Sequence, residues 1–287
     1  MTSAMTYPWQ DRSGHLSPLK LAVFLSLFAP GLWTVAAYGL GQLGPRPWTE
    51  AIHQTGLWAI RFLFVSLAIT PLRRVLQFPR LIVVRRMIGV AAFCYALLHF
   101  LAYAGDQAFA WSHVASEVIL RFYLTIGFTA LLFLAALAAT STEGMIRRLG
   151  GRNWRWLHRL AYVIGLLTLT HYFIQTKLGF GEPLTMAGIY AWLMAHRVLV
   201  ALKPAAAGNA WALIALSLAS GLGAALGEAG YVWLTFHVDP ARVLAAALAW
   251  TPGSRAGWIV FVAGMLLAVA GTWRGRTLPQ RRGVVPA

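Results

Sequence analysis

Eight long apolar runs, separated by short segments of very unequal charge, leave this chain few ways to fold. A helix needs about 20 mainly apolar residues to cross a bilayer. Residues 19–40, 56–72, 87–104, 119–140, 156–176 and 184–202 meet that requirement, and 211–233 and 257–273 follow after the small-residue linker "KPAAAGNA". The runs are continuous rather than alternating, which disfavours a closed barrel. Composition agrees: 59% of residues are hydrophobic and 11% charged, where soluble domains carry about 25% charged residues. The expectation is an all-α, polytopic transmembrane helix bundle built as six helices plus two. Its parts are an N-terminal tail (1–18), a six-helix domain (19–203), two additional helices (204–273) and a basic tail (274–287).

The formal net charge is +16, which in a soluble chain would point to nucleic acid. Here the arginines sit between apolar runs, so the partner they imply is the lipid bilayer and not nucleic acid. "RRVLQFPRLIVVRR" holds five arginines and "STEGMIRRLGGRNWR" four, whereas "GDQAFAWSHVASE" and "KLGFGEP" are close to neutral. The positive-inside rule puts the first two loops and both termini in the cytoplasm. The polar start lacks a cleavage-site pattern, so the first apolar run is read as retained. The single cysteine, Cys94, excludes an internal disulfide, a C-x-x-C-H haem attachment, a cysteine zinc site and a four-cysteine iron–sulfur cluster. Any cofactor is then held non-covalently or by histidine.

Ionisable residues inside such runs are costly and mark function. The third run rises from Arg86 and the fifth from Trp156, so His99 and His171 lie about 20 and about 22 Å up, at matching depth. Two level imidazoles can clamp a haem iron from both sides; alternatively, each bonds a neighbouring helix or lines a polar cavity. His158 precedes His171 by 13 residues, an offset of about 140° on a regular helix, so one straight helix does not align them. A π-bulge near Gly165 or a cofactor reached from another side would be needed. Arg85 stands 14 residues before His99, only about 40° away, where a second level histidine would be expected. Its fork suits a haem propionate or flavin phosphate, or it snorkels as an anchor. His196 is a weaker partner for His158. His15, His113 and His237 read as solvated and His53 as interfacial. Arg61 needs an anionic or carbonyl partner, with Glu50 or a cofactor as candidates, and Glu228 reads as an interfacial carboxylate.

"TGLWAIRFLFVSLAITPLRR", "RRMIGVAAFCYALLHFLAY", "RFYLTIGFTALLFLAALAATST" and "WRWLHRLAYVIGLLTLTHYF" together resemble the MsrQ (YedZ) family of haem-binding membrane subunits, within the ferric-reductase-like transmembrane group. The resemblance covers about residues 20–203. It implies haem b, one or two per chain, in a six-helix bundle of the bacterial inner membrane, and an association with FMN. It also implies electron delivery from the quinone pool or a cytoplasmic flavin reductase to the periplasmic molybdopterin enzyme MsrP, which reduces methionine sulfoxide in damaged proteins. The family's essential histidines fall on His99, His158 and His171, and its paired arginines on Arg85 and Arg86. The chain departs from the family pattern at Phe122, where proline is expected, and in its last two helices.

On this reading iron carries the reaction and no side chain is catalytic, so the chain is an electron-transfer subunit. No hydrophilic segment is long enough for a pyridine-nucleotide domain, and no G-x-G-x-x-G opens a βαβ unit. Two rivals stand beside it: a ferric or cupric reductase subunit, which keeps the haem, and a proton-coupled transporter using intramembrane histidines.

Overall fold

A computed structural model describes residues 7–11, 13–176, 179–250 and 255–277. Parts of both expected tails, residues 1–6 and 278–287, lie outside the described residues. In chain order the helices are α1 (Pro18–Gly39), α2 (Pro47–Val75), α3 (Ile82–Asp106), α4 (Trp111–Leu120), α5 (Phe122–Ala139), α6 (Glu143–Leu149), α7 (Gly151–Leu157), α8 (Leu160–Gln175), α9 (Gly181–Leu202), α10 (Ala210–Phe236), α11 (Pro240–Leu248) and α12 (Ala256–Thr277). Among the described residues the only β pairing is an isolated bridge between Gln10 and Leu16. The fold is an all-α helix bundle.

Among the described residues seven helices are long and apolar enough to cross a membrane: α1, α2, α3 with its preceding turn, α5, α9, α10 and α12. The fifth apolar run is the exception. The chain turns at His158 and Arg159, leaving α8 with 16 residues. The helix is interrupted by this break rather than by a π-bulge: His158 caps α7 while His171 lies on α8, so the two do not share one helix. The fourth run starts later than its hydropathy suggests, because Arg121 is extended (φ −101°, ψ 106°) and separates α4 from α5.

Local chemistry sets the ends. Proline, whose missing N–H costs nothing in a first turn, opens α1, and Pro240 opens α11 behind an Asp239 side chain that accepts from Ala241 N. Asn209 accepts from Ala212 N to start α10, and Thr142 from Met145 N to start α6.

The chain forms two compact units. The first comprises the described residues up to Leu67 together with Ile82–Gln175. Here α5 packs on α8 and α3, and α1 on α3. Pro30 removes a backbone donor inside α1. One residue on, the Tyr95 hydroxyl of α3 inserts into the helical ladder, donating to the Leu27 carbonyl (2.8 Å) and accepting from Gly31 N–H (2.8 Å). Phe62 of α2 packs edge-on to the same ring at 5.1 Å.

The second unit comprises Ala68–Leu81 and the described residues from Thr176 onward. Its centre is α10 against α12 and α9. The helices α10 and α12 touch backbone to backbone: a Cβ at Gly221 would lie 2.8 Å from the Gly257 carbonyl, and one at Gly257 the same distance from the Gly221 carbonyl. Small residues at such crossings let membrane helices approach closely.

Candidate functional site

His99, on α3, and His171, on α8, meet inside the first unit with ring centroids 6.2 Å apart and planes at 87°. Each ring is pinned the same way. His99 Nδ1 lies 2.8 Å from the Ile52 carbonyl of α2, and His171 Nδ1 lies 2.8 Å from the Tyr123 carbonyl of α5. A carbonyl oxygen can only accept, so both Nδ1 atoms carry the proton and donate it, and both Nε2 atoms keep a free lone pair. A metal-binding histidine uses this arrangement, since the bond at one nitrogen fixes tautomer and orientation for the other. Two imidazoles on one metal through Nε2, with bonds of about 2.0–2.1 Å, would hold their centroids roughly 6 Å apart. The residues therefore fit a metal that takes two axial nitrogens and brings its remaining ligands with it. Among the described residues no group of three or more His, Cys, Asp or Glu could hold a bare ion. Phe100 and Phe128 pack at 5.5 Å on α3 and α5, the helices that carry His99 and the Tyr123 carbonyl.

His158 stands elsewhere in the same unit. Just before α8 begins, its ring stacks on Trp154 (3.9 Å, 28°) and its Nε2 faces the Thr140 hydroxyl at 3.3 Å. Trp154 in turn donates its indole N–H to the Thr140 carbonyl at 2.9 Å. Arg85, on the first turn of α3, is close enough for its charge to act on His158. The sequence offset had put these two on one level, and the structure puts them in electrostatic reach. Arg86 turns to Glu143, its Nη1 donating to Oε1 at 2.6 Å.

Residues 55–169 match the family "Ferric reductase like transmembrane component". The chain is 39% identical over 211 residues to the protein-methionine-sulfoxide reductase heme-binding subunit MsrQ of Rhodospirillum rubrum, covering 73% of this chain and 99% of that protein. The chain belongs to the MsrQ family. MsrQ of Xanthomonas campestris pv. campestris is 45% identical over 186 residues (62% of this chain, 85% of that protein), and MsrQ of Herminiimonas arsenicoxydans 41% over 206 (69% and 94%). No solved structure matches. About a quarter of this chain has no counterpart in the Rhodospirillum MsrQ.

The remaining candidates have partners of their own. His196, in the second unit, is 1% exposed, stacks on Trp192 at 5.3 Å and bonds the Ala207 carbonyl through Nε2 at 3.2 Å. Arg61 lies over the Trp58 ring at 5.0 Å, while Glu50 accepts from Gln54. Glu228 is buried and ion-paired with Arg255. His15, His53, His113 and His237 are exposed. Sequence reasoning missed the carbonyls of Ile52 and Tyr123, because a main-chain acceptor has no side-chain signature.

Proposed function

We propose that this chain is a haem b electron-transfer subunit of the bacterial inner membrane, with His99 and His171 as axial ligands. It passes electrons from the quinone pool or a reduced flavin, with FMN in association, to the periplasmic MsrP subunit that repairs oxidised methionines. The names of the relatives, haem-binding subunits of a methionine sulfoxide reductase, support both the cofactor and the partnership. The observation that carries the reading is the pair of imidazoles 6.2 Å apart, each with Nδ1 committed to a carbonyl and Nε2 left to bind.

When bound, haem supplies one-electron chemistry at iron. The chain does the rest. Ile52 and Tyr123 fix the ligand tautomers, and the helices α3 and α8 hold the rings at one depth in the bundle. His158 and Arg85 form a second position, where the guanidinium suits a haem propionate or a flavin phosphate. It serves a second haem or the FMN. The six-helix domain, residues 19–203, carries these groups, and both termini lie in the cytoplasm with the arginine-rich loops.

The test is a reduced-minus-oxidised absorption spectrum of the purified chain with haem quantitation. The wild type shows a b-type signal, and His99→Ala and His171→Ala each lose it. Normal haem content in both variants refutes the ligand assignment, and a haem-free wild type favours the transporter. Electron delivery to purified MsrP, compared with ferric and cupric salts, separates the favoured acceptor from the metal-reductase alternative.

A further inference from the structure

The two histidines are seated in matching notches. Ile52 and Gly56 lie four residues apart on α2, and Tyr123 and Gly127 four apart on α5. In each case a histidine from another helix bonds the carbonyl, and the Nδ1–Cε1 edge of its ring lies against the glycine one turn later. A Cβ at 56 would fall 2.7 Å from His99 Nδ1 and 2.9 Å from Cε1; a Cβ at 127 would fall 2.8 Å from both Nδ1 and Cε1 of His171. Real side chains do not approach this closely, so an alanine at either position displaces the ring. In an α-helix the carbonyl four residues back is the one that accepts the glycine's own N–H, and its second lone pair takes the imidazole. Glycine costs about 1 kcal/mol against alanine in a helix interior. Both helices accept that loss at the one place where a histidine ring needs the room.

We infer that Gly56 and Gly127 are positioning residues for the axial ligands, each forming with the carbonyl four residues earlier a seat that sets the height, tautomer and plane of one imidazole. The inference rests on the haem reading above. Together the seats hold the ring planes 87° apart, which for two axial ligands is the angle between the ligand planes. Perpendicular planes leave the iron dπ orbitals close in energy and give a low-spin signal with one very large g value. Parallel planes split those orbitals and give an ordinary rhombic spectrum. The Nδ1–H bond to a carbonyl also raises ligand basicity, which favours the oxidised metal.

The experiment is electron paramagnetic resonance and potentiometric titration of the full chain, purified with its haem. Gly105→Ala is the control, because a Cβ there would lie 2.7 Å from Trp48 but touches no histidine. The wild type is expected to show the large-g signal. Gly56→Ala and Gly127→Ala move it toward the rhombic form and shift the midpoint potential upward, while Gly105→Ala keeps both at the wild-type position. The inference is overturned if haem-loaded Gly56→Ala and Gly127→Ala match the wild type in both readouts, or if Gly105→Ala shifts them equally. A wild type without haem defeats the functional reading instead. Should an alanine variant fail to fold, Gly56→Ala is placed in the His99→Ala background. Recovery to the level of His99→Ala alone supports the seat, and persistent failure overturns it.

Discussion

Tyr95 shows how much a single hydroxyl can carry in this bundle. It replaces a main-chain link of α1 by bonding Leu27 and Gly31 from another helix. Tyr95→Phe strands both partners, and a buried unsatisfied group costs about 1–3 kcal/mol. Thermal unfolding in detergent should show that loss, with the haem spectrum unchanged because the hydroxyl bonds α1 and neither His99 nor His171. At this scale the sequence was informative where a residue is out of place in hydrocarbon. His99, His158, His171 and Arg85 stand out for that reason, and matching depth was enough to pair two of them. The seats were not legible: a glycine in an apolar run looks like a packing residue, and nothing in a sequence marks the carbonyl of Ile52 or Tyr123 as an acceptor. The ion-pair partner of Glu228 was hidden for a related reason, since Arg255 lies 27 residues away on another segment.

The helices were legible wherever apolar length alone decides them. All eight runs became helices, with ends shifted where a local signal outweighs hydropathy, as at Arg121 and His158. The short helices were hidden. α4 buries only Val114 and α6 and α7 bury nothing, so their composition reads as loop. α11 was hidden in the connection between the last two apolar runs, although Asp239 followed by Pro240 is a recognisable start. The crossing of α10 and α12 yields a prediction at this level. Gly221→Val places a branched side chain against the Gly257 carbonyl, and overpacking of this kind costs about 1–3 kcal/mol. Thermal unfolding should register it, and Gly223→Val, which meets nothing within 4 Å of its Cβ, should cost far less.

For the molecule as a whole, the unequal loop charges predict an orientation that can be measured. The chain's single cysteine is replaced, and new cysteines are introduced at Ser141 and at Ala241. Ser141 adjoins the arginine-rich loop and should react only with reagents reaching the cytoplasmic face, whereas Ala241 should react from outside; the reverse pattern would invert the proposed topology. A different consequence follows from the shortness of α8. Sixteen residues rise about 24 Å, some 6 Å less than the roughly 30 Å of hydrocarbon in an ordinary bilayer. If α8 crosses the bilayer with the neighbouring spans, lipid beside it thins or the flanking Arg152 and Arg155 of α7 stretch toward the headgroups. Either response would bring water toward the Trp154–His158 stack at the lower end of the helix, and thin the insulation there.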